Sequence, residues 1–498
     1  MIDGLGDLAP AVQAALARMN AQRWADRINA KDGTVWTPDP AKAEEIAGWM
    51  GWLDVAADLF EETAQFDDLR HDLHHLGYTH AVLCGMGGSS LCPDVLRRTF
   101  PRGDEGLELL VLDSTDPSTI AAVEAQIDVL KTVFIIASKS GGTTETLSHY
   151  RYFWERVAAA DAENPGQHFI AITDDGSGLH QGAVEKEFGW VFLNPGLELG
   201  AVLGVAAQAG RDKCTLVCSP RVGSLGIWLE QLLAESTGKE GKGIVPVEGE
   251  ALGPPAAYGA DRLFVHVRID GADAEQDAAV EALRAAGQPV YTIDIEGPDD
   301  LGGEFLRWEV ATAAAGAVLG INPFDQPNVQ ESKDNTKAVL ERYLEAGDFG
   351  VEPPADPWAD VDALLGGLRA GDYFAILGYT EMGEEIDNAF HAVRRAVRDG
   401  VGVATTSGYG PRYLHSTGQL HKGGPNSGVY LILADERGED IAIPEELYGF
   451  KTLIHAQWAG DLKSLRDHGR RAAMLPLADD RGVTLHRLRQ VAERLGAR

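Results

Sequence analysis

Residues 134–153 read FIIASKSGGTTETLSHYRYF. The β-branched run at 132–137 has the length and composition of a buried strand, and an amphipathic helix begins near Thr144. Between them stand Ser138, Lys139, Ser140, Gly141, Gly142, Thr143 and Thr144: hydroxyls, glycines and one cation at a helix N-terminus. Unpaired N–H groups and the positive end of the helix dipole favour an anion there. The glycines let the backbone approach, and the hydroxyls donate to phosphate oxygens from several directions. An ordinary N-cap would need only one of them.

The same strand–loop–helix rhythm runs outward in both directions. Strand-like runs occur at HAVLCGM, ELLVLDS, TVFIIAS, HFIAIT, CTLVCS, RLFVHVRI, PVYTIDI, YFAILGY, GVATTS, GVYLILA and AAMLPL, with helical periodicity in most gaps, as at 275–286 and 305–319. This alternation predicts an α/β fold of doubly wound parallel sheets with helices on both faces. Texture changes near residues 194–200 and after Leu344 divide the chain into an N-terminal helical segment (1–50), a first domain with the phosphate loop (51–195), a second (196–345) and a C-terminal α/β region (346–498).

At 498 residues, the chain is too long for one core,. Its formal net charge of −33 repels nucleic acid and anionic membranes,, so any phosphate site must invert the potential locally; Lys139, Lys239, Lys242 and Lys333 lie in segments that could do so. No apolar run approaches the roughly 20 residues of a membrane span, and residues 1–19 lack the pattern of a secretory signal. The expectation is a cytoplasmic protein. Four cysteines are too few and too irregularly spaced for a disulfide framework or zinc knuckle,. The cluster His71, His74, His75 and His80 lacks the carboxylate or cysteine that would complete a metal site, and reads as a solvated helix end.

A second glycine loop, Gly85-Met86-Gly87-Gly88-Ser89-Ser90, also joins a strand to a helix, and the next strand ends in Asp113. That spacing admits a dinucleotide fingerprint and hence a nicotinamide dehydrogenase. The third glycine is replaced by Ser90, however, and two cradles in one sheet suit a single small phosphate better.

Two further segments carry chemistry. In LLAESTGKEGKGIVP, Glu235 ends an apolar helical run, where a carboxylate's pKa can rise and suit it to act as a base; on the residues alone, a surface carboxylate at a helix end is the commoner case. In INPFDQPNVQESKDNTK, Pro323 and Pro327 stiffen the entry to a helix, Gln326 offers an amide and Lys333 a cation. Near the C-terminus GYGPRYLHSTGQLHKGGP sets Arg412, His415, Gln419, His421 and Lys422 in a glycine-rich stretch between two strands, a pattern more common in sites than in plain connections.

The combination SKSGGTTET, AESTGKEGKGIVP, NPFDQP and HSTGQ resembles the phosphoglucose isomerase family, built from sugar-isomerase (SIS) domains, over nearly the whole chain from about Gly51. It looks closest to the isomerase half of bifunctional transaldolase/phosphoglucose isomerase proteins. The resemblance implies two SIS domains plus the C-terminal α/β region, and interconversion of glucose 6-phosphate and fructose 6-phosphate, as in glycolysis and gluconeogenesis, with no metal or organic cofactor. Ser138, Ser140 and Thr143, with the Lys139 backbone, match the positions that hold the sugar phosphate, and Ser89 the companion hydroxyl. Glu235 matches the base that moves a proton between C1 and C2 through a cis-enediol. His415 matches the ring-opening histidine, which in this family reaches across from a neighbouring subunit, implying a homodimer. Lys333 and Gln326 match the pair near the ring oxygen.

Two departures stand out. The histidine motif follows NPFDQP, where many relatives carry it soon after the catalytic glutamate. The Gly-Gly-Arg segment expected after WVFLN is absent from the chain, Asn194-Pro195 running straight into Gly196-Leu197-Glu198-Leu199-Gly200. Its arginine would stabilise the enediolate, and losing such a donor costs ~100- to 1000-fold in rate. Arg221 and Arg412 are the expected substitutes. Loss of turnover would leave a sugar-phosphate-binding protein of the same fold.

Overall fold

The computed structural model describes all residues except 1, 54–68, 101, 104–105, 139–142, 161–164, 173–195, 352–353, 436, 478–480 and 498. Lys139 and Ser140 of the phosphate loop, and Asn194 and Pro195, therefore lie outside the described residues.

Twelve strands are described, in three parallel four-stranded sheets. The first holds β1 (His80–Gly85), β2 (Glu108–Leu112), β3 (Thr132–Ala137) and β4 (Phe169–Ile172); the second β5 (Lys213–Cys218), β6 (Val245–Val247), β7 (Arg262–Ile269) and β8 (Val290–Ile295); the third β9 (Tyr373–Tyr379), β10 (Ala404–Tyr409), β11 (Gly428–Asp435) and β12 (Arg471–Leu477). Each sheet has the same winding: the first strand lies between the second and third, and the fourth lies outside the third. Every expected run became a strand. The additional one, β6, is three residues long and carries Pro246, which an edge strand tolerates because a proline cannot donate to a second neighbour,.

β1 and β3 pair in register from His80↔Thr132 to Gly85↔Ala137. Their C-terminal ends are level, so the loops after them open side by side where the strand order reverses. In an open parallel sheet that crevice is where ligands bind.

The N-terminal segment packs away from its sequence neighbours. Leu5, Leu8, Val12, Ala15 and Met19 belong to the core of the second sheet, with Leu199, Leu203, Trp308 and Ala315. Trp36 Nε1 donates to Ala313 O at 2.8 Å. The residues after Pro195, where the Gly-Gly-Arg segment is absent, form the helix Gly196–Gln208. It packs on the helix Leu301–Leu319 through small residues: a Cβ on Gly200 would come within 2.6 Å of Ala311 O, and one on Gly204 within 2.6 Å of Val318 Cβ. The glycines permit this close crossing, and the apolar area buried offsets their low helix propensity.

The second and third sheets meet at a fully buried arginine. Arg262 donates to Glu250 through both terminal nitrogens, at 3.0 and 3.3 Å, and to Thr215 Oγ1 at 2.7 Å. Glu250 in turn accepts from Thr405 Oγ1 at 2.9 Å. A buried ion pair of this kind contributes little net stability but is costly to break.

Candidate active site

At the end of β1 the chain turns through Gly87 at φ 59° into the helix Gly88–Thr99. A Cβ on Gly87 would meet His415 O at 2.7 Å and Gln231 Nε2 at 2.9 Å. At this residue a loop of the first sheet, a helix of the second and the histidine motif of the third converge, and only glycine allows so close an approach. Ser89 is half-buried just beyond it.

At the end of β3, Ser138 is buried and its hydroxyl lies 2.9 Å from Thr143 Oγ1, so the two ends of the phosphate loop are tied together. The helix Thr144–Ala160 follows, with Glu145 in its first turn, where a carboxylate suits the dipole,. Glu145 is buried; its Oε1 lies 3.1 Å from His415 Nε2 and accepts from Gln457 Nε2 at 2.9 Å. Burial pushes this carboxyl up, but the charge and hydrogen bond of His415 outweigh it and hold it down to about 2. Gln457 is itself fixed by Thr115 Oγ1, 2.9 Å from its Oε1.

Glu235 lies near the C-terminal end of the helix Leu225–Thr237. Gln231, one turn earlier, donates to Glu235 Oε2 at 2.8 Å and to His415 O at 2.9 Å, binding the carboxylate and the histidine turn together. Burial raises the Glu235 pKa above the ordinary carboxylate value, against the opposing pull of Gln231, His415 and Lys239. Lys239 is buried, its pKa lowered by burial despite Asp325 and Glu235 nearby. Its ammonium donates to Asn322 O at 2.8 Å and to Asp325 O, and pairs with Asp325 Oδ1 at 3.0 Å. All three protons are engaged, so Lys239 acts on Glu235 through its field.

Gln419 locks the histidine motif to both neighbours, donating to Gly238 O and Asn328 Oδ1 and accepting from Asn328 N, each at 2.9 Å.

The structure thus brings together Ser89, Ser138, Thr143, Glu235 and His415. Lys333 and Gln326 are exposed, at the helix Pro327–Ala346 and its N-cap. Lys242 caps a helix end, donating to Leu319 O at 2.9 Å. Neither expected arginine substitute is free to serve. Arg412 is clamped between Asp113 (2.9 Å) and Asp94 (3.3 Å). Arg221 is exposed ahead of Leu225, about 15 Å along the helix from Glu235,. Lys422 pairs with Asp461 at 2.6 Å inside the third unit. His415 meets Glu145 of its own chain. Among the described residues no cluster of ligand-type side chains could hold a metal ion, and no helix is long and apolar enough to cross a membrane.

Sequence reasoning passed over Glu145, Gln231 and Gln457. Gln231 had a signal, its four-residue spacing from Glu235; Glu145 lay within the opening motif; Gln457, in a helix remote in sequence, had none.

Residues 74–193 match the phosphoglucose isomerase family. The glucose-6-phosphate isomerase of Rubrobacter xylanophilus is 28% identical over 66% of this chain and 96% of its own length. That of Thermus thermophilus is 26% identical over 60% of this chain and 92% of its own. Among solved structures, a glucose-6-phosphate isomerase from Chlamydia trachomatis aligns with a TM-score of 0.46 and 17% identity, over 63% of this chain and 78% of that one.

Proposed function

We propose that the chain is a member of the phosphoglucose isomerase family, which its matches support, and that it interconverts glucose 6-phosphate and fructose 6-phosphate through a cis-enediol. The observation that carries this reading is the junction at Gln231, whose one amide holds both the buried Glu235 carboxylate and the turn bearing His415.

In this reading the substrate phosphate binds at the crevice of the first sheet, on Ser138, Thr143 and Ser89, with Lys139 and Ser140 completing the loop. His415, oriented by Glu145, assists ring opening by moving a proton at the ring oxygen. Glu235 then takes the C2 proton and returns it to C1 on the same face of the planar intermediate, its raised pKa matching it to that exchange. Lys239 offsets the negative charge that develops beside Glu235, a part the Gly-Gly-Arg segment would otherwise supply. Lys333 and Gln326 are assigned the ring-oxygen side of the sugar. Glu235 and His415 come from one chain in this reading. A cytoplasmic location fits a phosphorylated substrate.

The test is a coupled assay of fructose 6-phosphate turnover together with solvent-proton exchange into the sugar. Wild-type exchange and turnover, both abolished in Glu235→Gln, are the expected result. Thermal stabilisation by sugar phosphate without any exchange would reduce the protein to a binder.

A further inference from the structure

The helix Leu225–Thr237 presents two adjacent stripes. Gln231 and Glu235 face the site just described; Leu232 and Ser236, each one residue on, line a separate cleft of about 220 Å³. Residues four apart share a face, so one residue's offset turns the second stripe onto the neighbouring surface.

Three aromatic side chains line this cleft, Trp49 and Trp52 from the N-terminal segment and Phe324 from the NPFDQP turn. Trp36 holds the wall in place, packing edge-on against Phe324 at 5.0 Å while its indole nitrogen bonds Ala313 O. Only two polar groups from the helix Leu301–Leu319 reach in, Glu309 and Thr312. Thr312 is 2% exposed and its hydroxyl has no hydrogen-bond partner. Burial alone pushes the Glu309 carboxyl up to about 7, no cation being set against it among the described residues. The Cys92 thiol, raised by burial and then by Glu309, is the titratable group beside it.

Aromatic faces attract a cation, and a carboxylate with no countercharge set against it adds to that attraction once ionised. The nature of that cation follows from what the cleft lacks. A primary ammonium is a compact, strongly hydrated charge that must give up its water on entering among aromatic walls. A quaternary ammonium has no N–H to satisfy, and its methyl groups suit aromatic walls. We propose that this cleft binds a small quaternary ammonium alcohol, its charge among Trp49, Trp52 and Phe324 opposite Glu309, and its hydroxyl on Thr312.

The probe is choline, titrated into the full chain at a pH of about 8, where Glu309 is ionised, and followed by calorimetry and tryptophan fluorescence. The control is its neutral isostere with carbon in place of nitrogen. Saturable choline binding is expected, with the isostere weaker by about tenfold or more. Glu309→Gln and Trp52→Ala, checked for unchanged thermal unfolding, should each lose about tenfold in affinity while isomerase activity stays unchanged. Equal binding of choline and its isostere, wild-type affinity in both variants, or no saturable binding would overturn the assignment. Because the readout is binding, its failure leaves the isomerase reading untouched.

Discussion

His415 Nε2 and Glu145 Oε1 lie 3.1 Å apart within a single chain, although 270 residues separate them in sequence. The contact joins the histidine turn beside the third sheet to the helix after the phosphate loop of the first, and predicts that one chain supplies both groups to a site.

Mixing experiments follow directly. His415→Ala and Glu235→Gln, each inactive, should remain inactive when unfolded together and refolded as a mixture. Recovery of about a quarter of wild-type activity, the yield of hybrid dimers with one intact shared site, would place His415 in a partner's site instead.

Glu235→Gln should lower kcat by ~100- to 10,000-fold. In the wild type, kcat/KM should rise with pH through an apparent pKa above the ordinary carboxylate value, because the base works only when ionised and burial opposes ionisation,. The sign for stability is the reverse. A carboxyl whose folded pKa is raised stabilises the fold only at low pH and loses that contribution as pH rises through it. At neutral pH the Gln variant should therefore unfold at the wild-type temperature or above, measured by calorimetry.

The two candidate cations separate cleanly. Lys239→Ala should reduce kcat by about 100-fold or more and loosen the turn it ties to Asn322 and Asp325,. Lys333→Ala, on an exposed helix face, should chiefly raise KM. Steady-state kinetics of both, with fructose 6-phosphate varied, distinguishes them.

Gly87→Ala places a methyl 2.7 Å from His415 O at a positive φ. It should cost about 1–3 kcal/mol of stability and disproportionately reduce kcat, because the carbonyl it displaces belongs to the histidine turn. Urea unfolding and the coupled assay report the two effects separately.

Glu250→Ala strands the fully buried Arg262 and should cost about 3–5 kcal/mol. Replacing both partners by apolar residues, Arg262→Met with Glu250→Leu, should cost much less. Chemical denaturation of the single and double variants tests this.

The strand rhythm was legible because parallel strands buried on both faces are continuous apolar runs; YFAILGY is buried at all seven positions of β9,. Glu235 was legible through its motif, and burial explains its raised pKa. The helix Gly196–Gln208 was not, since its glycines argue against a helix and its sides show no polar face. Tertiary packing overrides that propensity, because the partner helix admits nothing larger at Gly200 and Gly204,. The docking of the N-terminal segment on the second sheet, and of His415 on Glu145, are long-range pairings that no local pattern encodes.

The seating of Leu5–Met19 in the second core also bears on how the chain is made. Their partners, from Leu199 onward, are synthesised about 180 residues later. At roughly 5–20 residues per second, that delay is about 9–36 s. During it, the first sheet can close while the apolar stripe of Val12, Ala15 and Met19 stays uncovered on the ribosome. That nascent interval is when this protein has most need of a chaperone.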